Sequence, residues 1–288
     1  MVGSMKIGRS KIIRTAFSLQ VAERRRLLLA PDRLEEGGSV LLSNEEQHYL
    51  RRVLRLRCGE QVNVTDGCGR LTLATLVEPH LLALDRPAQQ IEPLAQPQLG
   101  LAVALMRRGT DEVVRMACEL GIDRIQPLRC DRCVPQADHR PERWATIIRE
   151  AVEQCERLWT PQLHELNGLS EWIGAVDGLC LAGVTRETAV PFLGQCLRQQ
   201  GDPLQPTWLV IGPEGGWTSA EQSLFADAGV RPVRMGATIL RSSTAAVAGA
   251  VELGSLARWP DQLLNRSVEI QRQQRRWILW LSCGLAHF

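Results

Sequence analysis

Apolar residues in this chain recur with two rhythms, and the change between them divides it. From Arg26 onward the pattern is strand-like: short apolar runs at Leu27-Leu28-Leu29 and Val40-Leu41-Leu42, then spaced positions at Val62 and Val64, Leu71, Leu73 and Leu76, and Leu82 and Leu84. Gly37-Gly38, Asp66-Gly67 and Gly69 punctuate them. A period of two between turn residues predicts a small, mostly antiparallel β domain over residues 24–92. One helix interrupts it. Ser43 and Glu46 have the spacing of a capping box, Leu50, Val53 and Leu54 form a stripe expected to face inward, and Arg51, Arg52 and Arg55 fall mainly off that stripe.

Pro93 and Leu94-Ala95-Gln96-Pro97 form a proline-containing connector, and beyond it the rhythm lengthens. Residues 99–105 read as a buried strand, 111–120 as a helix, 125–128 as a strand and 143–159 as a long helix. That last helix keeps Trp144, Ile147, Ile148, Ala151, Val152, Cys155, Leu158 and Trp159 on one face. Residues 179–181, 208–211 and 231–235 supply further strands. Such alternation predicts an α/β domain over 97–260, a parallel sheet flanked by helices.

Two of these strands end in glycine-rich turns. In Leu209-Val-Ile-Gly-Pro-Glu-Gly-Gly-Trp-Thr-Ser-Ala-Glu221, the glycines Gly212, Gly215 and Gly216 let main chain turn sharply and approach a ligand, while Pro213 fixes one torsion. Thr218 and Glu221 repeat the capping-box spacing, so a helix is expected from about 219 to near Gly229. The second turn is Met235-Gly-Ala-Thr-Ile-Leu-Arg-Ser-Ser-Thr-Ala245. Taken alone, either turn is equally well an ordinary strand-to-helix connection.

Together, GPEGG at 212–216 and the run at 235–245 resemble the RsmE family of ribosomal RNA methyltransferases, within the SPOUT superfamily. His48 to Arg55 with Gly59 and Asp66-Gly67, Glu119-Leu120-Gly121, and Glu153-Gln-Cys-Glu-Arg157 with Pro161 extend the resemblance over about residues 26 to 260. It implies a PUA-like barrel in the first domain, a deep trefoil knot in the second and a homodimer with its site at the interface. It further implies S-adenosyl-L-methionine as cofactor and N3 of a uridine in 16S ribosomal RNA, free or in the small ribosomal subunit, as acceptor. The donor is then held by Ala182 and Gly183, by Ile211, Gly212, Gly215 and Gly216, and by Met235, Gly236, Ile239, Leu240 and Thr244.

Uracil N3 carries a proton and is a poor nucleophile, so the site must help remove that proton or stabilise the anion that forms. Arg241 is the candidate for stabilising that charge, because a guanidinium presents fixed donors and stays charged. Glu214 is a candidate base, ligand anchor or loop brace, with bracing through neighbouring glycine amides ranked first. Arg51, Arg52, Arg55, Arg107, Arg108, Arg132 and Arg157 are candidate RNA contacts. Two departures from the family pattern matter. Ser243 stands where the family commonly has a glutamate, and is expected to serve as an N-cap. Arg107 or Arg108 replaces a lysine, which suits phosphate contact but not proton removal. Ser243 is also the main argument for the alternative, a catalytically silent RNA-binding or assembly factor.

Composition adds limits. At 288 residues and 44% hydrophobic, two modest cores are the better expectation. The net charge is +2, yet residues 1–60 hold twelve Lys and Arg against seven Asp and Glu, so the RNA grip is expected in the first half. No apolar run reaches membrane-spanning length, and the nine cysteines are irregularly spaced without a signal peptide. A soluble, cytoplasmic protein with reduced thiols is therefore expected, with no membrane partner. Cys130-x-x-Cys133 with His139 nearby is the pattern of a zinc or redox site, but no second pair has zinc-ribbon spacing, so no metal is expected. GxGxxG and P-loop patterns are absent. Residues 1–23 are read as a disordered extension, with a start-site or transit-like segment as alternatives, and 261–288 as an Arg-rich then apolar tail.

Overall fold

The computed structural model describes residues 25–35, 38–85, 90–137, 139–202 and 204–255; the readings of 1–23 and 261–288 lie outside them. The described residues divide into two compact units between Glu92 and Pro93.

The first unit runs β1 (Arg26–Leu28), α1 (Pro31–Glu35), β2 (Ser39–Leu41), α2 (Asn44–His48) continuing into a π-helical turn (Tyr49–Val53), β3 (Gln61–Thr65), β4 (Arg70–Glu78), β5 (Leu81–Leu84) and β6 (Gln90–Ile91). Its six strands pair in the order β1-β3-β4-β5-β2, with β6 on β4; β1 and β3 are parallel and every other pair is antiparallel. Leu27, Leu50, Val62, Val64, Leu76 and Leu82 fill the core, as the period-two pattern requires.

The capping box at the start of α2 is present: the Glu46 amide donates to Ser43 Oγ (3.2 Å) and the Ser43 amide to Glu46 Oε2 (2.8 Å). The expected inward stripe is only partly so. Leu50 is buried and Leu54 half-buried, but Val53 is 57% exposed. The cause is the π turn: the Leu54 amide donates to the Tyr49 carbonyl five residues back, which shifts the helical phase after residue 49. Arg51, Arg52 and Arg55 are exposed.

The second unit runs β7 (Leu99–Ala104), α3 (Thr110–Glu119), β8 (Arg124–Arg129), α4 (Pro141–Cys155), β9 (Gln162–Leu163), β10 (Asn167–Gly168), α5 (Leu169–Ala175), β11 (Leu179–Gly183), α6 (Leu193–Arg198), β12 (Thr207–Ile211), α7 (Ser219–Asp227), β13 (Arg231–Val233) and α8 (Ser242–Leu253). The seven strands pair in the order β10-β8-β7-β12-β11-β13, with β9 on β8, and all pairs are parallel. Every residue of β7 and β12 is buried, because helices cover both faces of such a sheet.

The long helix starts earlier and ends earlier than its apolar spacing suggests. Pro141 occupies its first turn, and Glu156 at φ 61° terminates it, leaving Leu158 and Trp159 beyond its end. At the other end of the unit, α8 packs on β12 and β7 through small residues. A Cβ added at Gly249 would lie 2.0 Å from Leu209 Cδ2 and 2.9 Å from Met235 Cε, so only glycine permits that approach.

Candidate active site

Since β7, β11, β12 and β13 are parallel neighbours, the segments that follow them leave the same edge of the sheet. They enclose a cavity of about 1250 Å³. Open α/β sheets usually bind ligands at this edge. Its walls come from residues 106–109 after β7, 183–188 after β11, 211–217 after β12 and 234–241 after β13.

Hydrogen bonds tie these segments together. Trp217 Nε1 donates to the Gly183 carbonyl (2.8 Å), joining the loops after β11 and β12. The indole also packs edge-on against Phe225 of α7, with ring centroids 4.8 Å apart. The Arg107 amide donates to Glu214 Oε1 (3.1 Å), joining the loops after β7 and β12. From the turn after β8, Arg132 Nη1 donates to the carbonyls of Gly215 (3.0 Å) and Trp217 (3.1 Å).

Local chemistry sets up the Gly212–Trp217 turn. The Thr218 and Glu221 capping box starts α7 at Ser219: the Thr218 amide donates to Glu221 Oε2 (2.8 Å) and the Glu221 amide to Thr218 Oγ1 (3.2 Å). Glu221 is buried, and its Oε1 accepts the Asp131 amide at 2.9 Å, so one carboxylate ends the loop and anchors the neighbouring turn. Gly212 has Trp217 against it, where an added Cβ would stand 2.9 Å from the ring, and Gly215 has Arg132 Cβ at 2.9 Å. Gly216 adopts φ +69° and faces open space within the lining, while Gly236, also in the lining, has only the Thr238 backbone near its Cβ position, at 3.9 Å. A ligand can therefore approach bare backbone there.

Of the expected donor-binding residues, Gly183, Ile211, Gly212, Gly215, Gly216, Met235, Gly236, Ile239 and Leu240 line this one cavity. Ala182 and Thr244 do not. The Ala182 side chain is buried in the sheet core with Ala102 and Val210, because strand alternation turns it inward. Thr244 is exposed on the first turn of α8, while Ser242, Ser243 and Ala245 reach the lining.

Arg107, Arg108, Arg132 and Arg241 also line the cavity, and all four are exposed. Arg132 is occupied by its loop carbonyls, so it is first a brace. Arg157 is a brace throughout: Nη1 donates to the carbonyls of Cys118 (2.8 Å) and Ile122 (2.7 Å), Nη2 meets Asp123 Oδ1 at 3.2 Å, and its side chain is 14% exposed. Its guanidinium is thus committed to partners within the chain. Glu214 accepts the Arg107 amide rather than a glycine amide.

Ser243 is not the N-cap of α8. Arg241 holds that position, with extended backbone and without a side-chain capping bond, and Ser243 sits in the first turn, half-buried, close to Gly109. The segment Thr185–Arg186–Glu187–Thr188, a further part of the wall, carries no apolar rhythm and no glycine pair, so nothing in its sequence marked it. Among the described residues, no group of three or more His, Cys, Asp and Glu is placed to hold a metal ion. No described helix is long and apolar enough to cross a membrane.

The family model described as an RNA methyltransferase domain matches residues 93–252, and one described as an RNA methyltransferase PUA domain matches 42–82. A ribosomal RNA small subunit methyltransferase E from Synechocystis is 37% identical over 239 residues, covering 80% of this chain and 77% of the relative. The chain belongs to the ribosomal RNA small subunit methyltransferase E family. Another member, from Mycobacterium bovis, is 29% identical over 81% of this chain and 93% of its own. The crystal structure of the Neisseria gonorrhoeae member bound to S-adenosyl methionine superposes with a TM-score of 0.67. It is 27% identical and covers 81% of this chain and 98% of that one. The PUA-plus-α/β architecture of the family is thus the architecture of this chain.

Proposed function

We propose that this protein methylates N3 of a uridine in 16S ribosomal RNA of the small subunit, using S-adenosyl-L-methionine, and works as a cytoplasmic homodimer. One observation carries the reading: a glycine-walled cavity at the ends of four parallel strands, rimmed by arginines, in a chain whose relatives are named as methyltransferases of that RNA. When bound, S-adenosyl-L-methionine supplies an electrophilic methyl carbon on a sulfonium.

The chain's own residues do the rest. Main chain at 211–216 and 235–240 offers amides and carbonyls to the polar edges of an adenosine, and Gly216 leaves room for it. Ile211, Met235 and Leu240 supply apolar cover, which excludes water from a reacting centre. Arg241 is exposed and lines the cavity, which places its guanidinium to stabilise negative charge on the uracil carbonyls as N3 loses its proton. Glu214 holds the Arg107 segment in place rather than acting as base. Arg51, Arg52 and Arg55 of the first unit, with Arg107 and Arg108, serve the phosphates of the RNA. The homodimer, like a trefoil knot in residues 97–260, is carried by the family resemblance.

Calorimetric titration with S-adenosyl-L-methionine, then mass-spectrometric nucleoside analysis of 16S RNA and small subunits incubated with both, tests the reading. The expected product is 3-methyluridine. An absence of binding, or a methyl group found only on ribose or on a base carbon, overturns it.

A further inference from the structure

Next to the donor cavity lies a dithiol for which methyl transfer has no use. Cys130 follows β8 and is buried; Cys133 is half-buried. The four residues Cys130-Asp131-Arg132-Cys133 form a closed turn in which the Cys133 amide donates to the Cys130 carbonyl (3.1 Å) and the Cys130 amide to Cys133 Sγ (3.4 Å). A hydrogen-bonded turn keeps its end Cα atoms within about 7 Å, inside the range a disulfide spans. Both residues between the cysteines reach into the donor loop. Asp131 accepts Thr218 Oγ1 at 2.9 Å and donates its amide to Glu221, while Arg132 holds the carbonyls of Gly215 and Trp217. Arg132 Cβ is packed so close to Gly215 that an added methyl there would collide.

We propose that Cys130 and Cys133 form a reversible thiol–disulfide site, and that its oxidation loosens the Gly212–Trp217 loop and weakens donor binding. The effect on the donor rests on the function proposed above; the disulfide does not. The chemistry is exchange with a small-molecule disulfide such as oxidised glutathione. The Cys133 thiolate attacks one sulfur, a mixed disulfide forms and one glutathione thiolate leaves. Cys130 then gives up its proton and attacks Cys133 Sγ, expelling the second glutathione. Two protein thiols are oxidised and one glutathione disulfide is reduced to two thiols.

The environment divides the roles. The hydrogen bond from the Cys130 thiol, helped by backbone donors, lowers the Cys133 thiol to about 7 against the opposing effect of burial, which suits the attacking sulfur. The same contact, with burial, holds Cys130 well above the ordinary thiol range, as befits the resolving partner. Closing the bond fixes the sulfur–sulfur distance at about 2.05 Å and the torsion near 90°. A shift of the turn on closing is passed to Asp131 and Arg132, which lie between the two cysteines and hold the donor loop.

The test equilibrates the full-length protein in glutathione buffers of graded ratio, traps free thiols by alkylation and maps peptides by mass spectrometry. Donor affinity is measured by calorimetry on the same samples. The expected result is a 130–133 disulfide and about tenfold weaker S-adenosyl-L-methionine binding, restored by dithiothreitol and absent in Cys133→Ser. Cys155→Ser, which removes the separate Cys118 and Cys155 contact, should leave the response intact. Failure of the disulfide to form at any ratio, or its formation without change in affinity, overturns the proposal. If the reduced protein binds no donor, the proposed function fails instead, and mapping still decides whether the disulfide exists.

Discussion

Trp217 and Gly183 are 34 residues apart, yet the indole N–H of one donates to the carbonyl of the other at 2.8 Å, fastening together two of the loops that wall the cavity. The bond exists because β11 and β12 are parallel neighbours whose ends lie side by side.

Trp217→Phe removes that donor and keeps the ring contact with Phe225. We expect about tenfold weaker S-adenosyl-L-methionine binding, the equivalent of one lost buried hydrogen bond, with a melting temperature close to that of the wild type. Calorimetry beside thermal denaturation separates the two effects. Unchanged affinity would mean that the loops hold their shape independently.

Arg241→Ala should bind donor normally and lose methyl transfer by about 100- to 1000-fold in single-turnover assays, the scale of one removed anion-stabilising donor. Transfer at the wild-type rate would reject Arg241 as the group that stabilises the ionised base.

Arg157 and the arginines of the first unit should behave oppositely. Arg157→Met leaves the buried Asp123 carboxylate without its cation, costing about 3 kcal/mol in chemical denaturation, while RNA affinity of the folded protein is retained. Arg51→Ala and Arg52→Ala should leave stability within about 0.5 kcal/mol and each reduce the salt dependence of RNA binding by about one counterion.

Gly249→Val forces a side chain into Leu209 and Met235. We expect a loss of about 1–3 kcal/mol and a melting temperature lower by several degrees, read by scanning calorimetry.

Labelling of Cys133 and Cys155 by iodoacetamide should persist to lower pH than for an ordinary thiol, since their thiols lie at about 7 and about 6, each lowered first by a neighbouring thiol's hydrogen bond. Because the thiolate is the reactive form, the Cys133 rate should fall as pH drops through about 7, as peptide mapping over a pH series would show. A midpoint near 9, the ordinary thiol value, would remove the case for Cys133 as the attacking sulfur.

What could be read from the chain alone was whatever depends on near neighbours. Ser43 with Glu46, and Thr218 with Glu221, satisfy amides within one turn, so their spacing located both helix starts. Alternating apolar residues located the strands of the first unit, and Gly212, Gly215 and Gly216 marked a turn that tolerates little else. Even local reasoning failed where backbone geometry changed beneath it. The π turn at Tyr49–Val53 moved Val53 to the surface, and the start of α8 at Ser242 put Arg241, not Ser243, at the cap.

The roles of individual side chains were decided by partners far away in sequence. Arg132 and Arg157 read alike as surface cations, yet one holds carbonyls 83 and 85 residues ahead and the other carbonyls 39 and 35 residues behind. The wall at 185–188 belongs to the cavity only because β11 lies between β12 and β13. Sequence by itself determined the main strands, the capped helix starts, the glycine turns and the family, because hydrogen bonding and side-chain alternation within a few residues leave a pattern in the chain. Strand order decided which turns meet and which arginines are tied to distant carbonyls, because those contacts follow from the packing of distant segments, and residue spacing carries no record of it.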